Sequence, residues 1–286
     1  MVFSTCSFSA DFLDTSTSYG SGKITFVSTM SGNWDLWIMN PDGTGLTQLT
    51  NTAIDERCPD ISPDGEKIDY STNDGKIWMV NTDGTDTKVI ELEIGINTHP
   101  AWSPDGKKIV FTSFSKIKID DSDIWIMDAD GTNPRRLTFQ KNIQINPAWL
   151  PDGKSILYSS TVYGKRYQIL HDLWSIQPDG KREKLILANQ AANIQADFSP
   201  DGRKIVFASN KTGNMEIWIM DADGKKPKQI THNEAYDVDP CWSADGKYIA
   251  FVSNRSGNLQ IWLMDANGEN LKQLIHKGES KDPDWR

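Results

Sequence analysis

Six residues, each just before a proline position that recurs along the chain, carry most of the side-chain chemistry: Cys58, His99, Asn146, Gln195, Asp239 and Asp282. Alanine replaces the proline once, at Ala196. Two residues upstream of each stand Glu56, Asn97, Gln144, Asn193, Asp237 and Ser280, and Arg57 lies between Glu56 and Cys58. Eleven of these twelve positions are polar and the other is cysteine, so the pattern selects polarity. Such a set supports three kinds of chemistry. Amides and carboxylates gathered in one cavity hold water or a hydrogen-bonding ligand, because buried polar atoms need partners. Carboxylates suit a hard cation, and Asp237, Asp239 and Asp282 are candidate oxygen ligands for calcium. Carboxylates with or without a metal also suit a hydrolase or lyase. The four histidines (His99, His171, His232, His276) show no short metal-ligand spacing.

These residues must be positioned by a repeat. A turn glycine recurs at Gly43, Gly84, Gly131, Gly180, Gly224 and Gly268, and a tryptophan precedes each by six residues, from Trp37 to Trp262. The glycines step by 41, 47, 49, 44 and 44 residues, so each repeat is one supersecondary unit. In the third repeat, His99–Trp102, Lys108–Ser113, Asp123–Asp128 and Arg135–Thr138 are expected strands, separated by Ser103-Pro104-Asp105-Gly106 and Ala129-Asp130-Gly131 turns. β-Branched and aromatic residues favour strands, and no segment sustains a helical period. The third strand is apolar on both faces, as it must be when sheets cover it on both sides.

The reading is an all-β, six-bladed propeller of four-stranded antiparallel blades over residues 22–286, preceded by a flexible tail or tether over 1–21. The first repeat begins at its second strand, Lys23–Ser28, and lacks a first one. The last residues, Asp282-Pro283-Asp284-Trp285, match the missing strand, so the two ends are expected to complete one blade. A ring left open would expose apolar faces and an unpaired edge.

The strings Pro-Ala-Trp-Ser-Pro-Asp-Gly-Lys-Lys-Ile-Val-Phe (100–111) and Ile-Trp-Ile-Met-Asp-Ala-Asp-Gly (124–131) resemble the TolB-type, WD40-like (PD40) repeat. The resemblance implies an extracytoplasmic protein, periplasmic or at the cell surface, that binds proteins or peptides at one face or in the central channel. It also implies that the loops entering the first strands share a face with those between second and third strands. The polar residues above then surround the channel mouth, making Glu56, Arg57, Asn97, His99, Asn146, Asn193, Gln195, Asp237, Asp239 and Asp282 the candidate ligand-binding set. Binding of a protein, peptide or glycan without catalysis is the leading expectation. Hydrolase or lyase chemistry at the mouth is the alternative, and no Gly-x-Ser-x-Gly nucleophile motif is present.

The formal net charge of -9 argues against nucleic acid as the main partner and supports solubility as a monomer. No run of apolar residues is long enough for a transmembrane helix. Three scattered cysteines make neither a disulfide framework nor a zinc site. Phe3-Ser4-Thr5-Cys6 resembles the end of a bacterial lipoprotein signal, so Cys6 is a candidate for lipidation. The two longest repeats carry insertions at residues 115–121 and 162–168. The second offers Tyr163, Arg166 and Tyr167, residue types enriched at interface hot spots.

Overall fold

A computed structural model describes residues 19–117, 121–164 and 168–286. Tyr163 falls within these ranges, whereas Cys6, Arg166 and Tyr167 lie outside the described residues. Blade A contains β1 (Ile24–Ser28), β2 (Asp35–Met39) and β3 (Thr47–Gln48); blade B contains β4 (Glu56–Ile61), β5 (Lys67–Thr72), β6 (Ile77–Asn81) and β7 (Lys88–Ile90). Blade C is β8 (Ile96–Trp102), β9 (Lys108–Phe114), β10 (Ser122–Asp128) and β11 (Arg135–Arg136), and blade D is β12 (Gln144–Trp149), β13 (Ile156–Tyr163), β14 (Ile169–Ile176) and β15 (Lys184–Leu187). Blade E is β16 (Asn193–Phe198), β17 (Lys204–Ser209), β18 (Glu216–Asp221) and β19 (Lys228–Gln229). Blade F is β20 (Asp237–Trp242), β21 (Tyr248–Ser253), β22 (Gln260–Asp265) and β23 (Lys272–Gln273), and β24 (Ser280–Trp285) returns to blade A. The protein is thus an all-β propeller of six four-stranded antiparallel blades, with no helix among the described residues.

Blade A has the order β24-β1-β2-β3, so the last strand supplies the innermost position that the first repeat lacks. Ile24 pairs with Trp285 and Ser28 with Ser280, and the Lys23 and Arg286 main chains exchange bonds of 2.6 and 3.1 Å. Tyr19–Ser21 continue this closure: the Trp285 indole N–H donates to the Ser21 carbonyl at 3.0 Å.

The Ser-x-Asp-Gly turns explain their own residue types. In blade B, Ser62 Oγ donates to Asp64 Oδ1 at 2.6 Å, Glu66 N donates to the same oxygen at 3.1 Å, and Lys67 N donates to Ser62 Oγ at 2.9 Å. Gly65 has φ +74°, where a Cβ would be strained. Between blades the packing is apolar. Ile124, Ile126 and Met127 of β10 are all buried, which requires a third strand with no polar face.

One residue breaks this pattern. Asp69 is fully buried on β5, directly opposite Asp60, where the other blades place Thr25, Val110, Leu157, Val206 and Ala250. Neither of its carboxylate oxygens has a hydrogen-bond partner. Burial and the nearby Asp60 hold its pKa well above the ordinary carboxylate range. The folded state therefore keeps a proton that the unfolded chain releases, and the contribution of Asp69 to stability falls as pH rises above the unfolded value. Asp69→Val should raise stability at neutral pH by about 1–3 kcal/mol, the cost of an unsatisfied buried polar group. Urea unfolding from pH 5 to 9 should show a shallower decline for the variant; equal stability and equal slope would contradict this account.

Candidate functional site

The six innermost strands share one irregularity. In each, the pairing shifts by a residue at the proline position: between Arg57 and Asp60, Thr98 and Ala101, Ile145 and Ala148, Ile194 and Asp197, and Val238 and Cys241, with the matching shift on β24 read at Thr25 and Val27. The residue before the proline position takes a left-handed backbone in every blade, with φ of 49° at Cys58, 50° at His99, 54° at Asn146, 53° at Gln195, 48° at Asp239 and 53° at Asp282. Glycine usually occupies this place in a bulge, because a side chain there costs roughly 1 kcal/mol or more. Asparagine and aspartate, which tolerate this conformation best, fill three of the six places, at Asn146, Asp239 and Asp282.

The bulges re-aim those six side chains into one axial cavity of about 150 Å3. A second tier beneath them comprises Asp60, Ala101, Ala148, Asp197, Cys241 and Asp284, and Arg286 also contributes to the wall. In the upper tier, hydrogen bonds pass from blade to blade. Gln195 Oε1 accepts from Asp239 N at 3.3 Å, the Asp239 carboxylate accepts from Asp282 N, and Asp282 Oδ2 accepts from Cys58 N at 3.0 Å. His99 is different: its buried Nδ1 has no partner.

Charge in the cavity follows from desolvation and crowding. Burial, with the Asp282 charge beside it, pushes the Asp239 pKa up to about 8. Burial drives His99 down to about 4, so its imidazole is neutral at physiological pH. Desolvation and the neighbouring Asp282 charge push the Cys58 thiol well above its usual range, which disfavours the thiolate. Lys281 stands 3.9 Å from Asp282 and 4.7 Å over the Trp34 ring.

The lower tier ties the ring together. Asp60, Asp197 and Asp284 each reach the next blade, accepting from Trp102 N (2.7 Å), Trp242 N (3.0 Å) and Ile61 N (2.8 Å). Arg286 lies 3.8 Å from both Asp60 and Asp284, and these carboxylates raise its pKa further. Burial still lifts Asp197 to about 6. Sequence reasoning missed this tier. Its signal was an aspartate immediately after the proline position in three repeats, where others have alanine or cysteine.

The two polar rows separate in the structure. His99, Asn146, Gln195, Asp239 and Asp282 meet in the cavity with Cys58, whereas Glu56, Asn97, Asn193 and Asp237 are buried within the blades and do not line it. Glu56 accepts from Thr52 Oγ1 at 2.9 Å, Asn97 Nδ2 donates to the Gly75 carbonyl at 3.3 Å, and Asn193 Nδ2 donates to the His171 carbonyl at 2.8 Å. Asp237 is paired with Arg255 at 2.7 Å. The bulge is the reason: it breaks the strand's alternation between the two rows, so they no longer share a direction. Arg57 is exposed and outside the cavity wall. Of the three calcium candidates, Asp239 and Asp282 line the cavity and Asp237 does not. Asp237 is turned away from Asp239 and Asp282, and no three His, Cys, Asp or Glu side chains among the described residues come together as a metal site. On the longer β13–β14 hairpin, Tyr163 and its cross-strand partner Ile169 are both 62% exposed.

A closed ring of six blades with a polar axial pocket defines a TolB-like propeller, an architecture consistent with a binding or interaction module. The chain belongs to the family described as the TolB beta propeller domain, which matches residues 13–175 and 173–286. The Tol-Pal system protein TolB of Geobacter sulfurreducens is 39% identical over 67 residues, which cover 22% of this chain and 16% of that protein. A solved structure of a TolB candidate from Agrobacterium tumefaciens is 25% identical and covers 92% of both chains, with a TM-score of 0.75. TolB from Acinetobacter baumannii shares the fold at 22% identity, covering 93% of this chain and 67% of that one, with a TM-score of 0.80. No helix among the described residues is long and apolar enough to cross a membrane.

Proposed function

We propose that this protein is a non-enzymatic binding module, working outside the cytoplasm, that takes the tip of a partner protein's peptide segment into the axial cavity. The observation that supports it is the ring of six strained, non-glycine residues around that cavity, with His99 Nδ1 left unpartnered. A volume of about 150 Å3 admits the space of a few waters, so it fits one side chain or a chain end, with remaining contacts on the surrounding face. The Asp239–Asp282 pair favours a tip that donates hydrogen bonds or carries positive charge.

Binding can be tested against an immobilised random hexapeptide library, followed by titration of the recovered sequences. His99→Ala and Asp282→Ala should each weaken binding about tenfold, as for contributors to a multipoint interface. An activity lost completely on one such substitution would instead favour a hydrolase or lyase in the cavity. For a cationic tip, affinity should rise as pH increases through about 8, because the cation prefers ionised Asp239. Asp239→Asn should bind more weakly and lose that pH dependence; a wild-type pH profile in this variant would remove Asp239 from the site.

A further inference from the structure

On the face opposite the channel mouth, the segment leading into blade A shows how the grooves between blades are used. Tyr19 lies between blades F and A, with its ring 5.8 Å from Tyr248 in an edge contact and 4.4 Å from the Lys272 ammonium. Tyr248 in turn stacks on Trp285 at 6.3 Å. The Tyr19 ring thus touches two positions, two residues after the Ser-x-Asp-Gly turn and the first residue of the outer strand. Through Tyr248 it is linked to a third, the last tryptophan of the neighbouring inner strand.

Between blades B and C the same three positions are Lys67, Lys88 and Trp102, and all three line a groove of about 660 Å3. Its floor includes Met79, which stands where blade F has Leu263. No segment of the described chain does there what Tyr19 does between F and A. A related groove of about 620 Å3 lies between blades E and F, on Lys204, Ile219 and Trp242. The amino groups of Lys67 and of Lys88, the latter in an exposed ion pair with Asp86 at 2.7 Å, suit the face of an aromatic ring, and Trp102 and Met79 suit its edge. The rim carries Asp64, Asp105 and Asp130, which disfavours acidic neighbours on an incoming segment.

We propose that the groove between blades B and C is a docking site for a tyrosine or phenylalanine in an extended, non-acidic segment of another protein, seated as Tyr19 is seated between blades F and A. This site is separate from the axial cavity and does not depend on what the cavity binds.

The test uses the intact protein, 15N-labelled, titrated with acetyl-Tyr-Gly-Ser-amide and with acetyl-Ala-Gly-Ser-amide. The indole N–H resonance of Trp102 is identified through Trp102→Phe. The tyrosine peptide should shift that resonance saturably, with a dissociation constant on the order of a millimolar for so small a ligand. The alanine peptide should not shift it. Lys88→Ala, an exposed and structurally mild change, should weaken binding about two- to fivefold, as expected for one cation–π contact. Met79→Trp should fill the groove and remove the response. Equal shifts with both peptides would overturn the proposal. So would shifts confined to Trp285, which would mean that the peptide only displaces Tyr19, or unchanged binding to Lys88→Ala.

Discussion

Removal of Lys281–Arg286 should leave a chain that no longer unfolds in a single cooperative transition near the parent melting temperature. These few residues are the whole of β24 except its first residue, together with the closing Arg286. Without them β1 loses its inner partner, and the bonds between Lys23 and Arg286 disappear. The contacts from Asp282 to Cys58 N and from Asp284 to Ile61 N, which tie blade A to blade B, go with them. The hydrophobic loss is concentrated in Trp285, which is fully buried against the core shared by blades A, E and F. Trp285→Ala alone should cost about 3–5 kcal/mol, the range for truncating a large buried aromatic side chain. In a protein of this size that lowers the melting temperature by on the order of 10 °C. Calorimetry of both variants decides the matter, and a truncated protein that melts as the parent does would refute closure by the C-terminal strand.

The second large effect is expected at Arg255. Its guanidinium lies 2.7 Å from Asp237, which is fully buried, and its Nε donates to Ser253 Oγ at 2.9 Å. It also packs 5.2 Å over Phe251 and 5.0 Å over Trp262, so it joins the loop entering blade F to that blade's apolar body. Arg255→Ala leaves the Asp237 carboxylate buried with only the Asn233 amide, at 2.7 Å, as its side-chain partner. Breaking such a pair from one side costs about 3–5 kcal/mol. The double variant Asp237→Ala, Arg255→Ala should be less damaging than the sum of the single changes, because no isolated charge remains. Chemical denaturation of all four proteins measures this coupling. Strict additivity would show that the pair is not the cause, and an Asp237→Ala protein of full stability with impaired binding would return Asp237 to the ligand site.

The axial site was legible only in part. His99, Asn146, Gln195, Asp239 and Asp282 stood out because each occupies the same place in a repeat while its side chain varies. Glu56, Asn97, Asn193 and Asp237 stood out for the same reason, yet they staple loops to strands inside the blades. Polarity alone could not distinguish the rows, because a buried staple and a ligand contact both need hydrogen-bonding side chains. Asp69 was passed over because it sits inside a strand of otherwise ordinary composition, and its cost arises only from what lies across from it, Asp60.

The amino-acid sequence by itself determined the blade count, the turns and the closing strand. Those features follow from local chemistry repeated at fixed spacing: a serine and an aspartate bonding a turn, a glycine with positive φ, and strands apolar on both faces. Tertiary structure alone decided which polar row faces the axis, that Asp239 and Asp282 share one cavity while Asp237 does not, and that Lys67, Lys88 and Trp102 line one groove between blades B and C. The physical reason is that a single-residue bulge redirects a side chain without changing the pattern of residue types. Charge and burial then depend on neighbours brought from other blades, which no local spacing records.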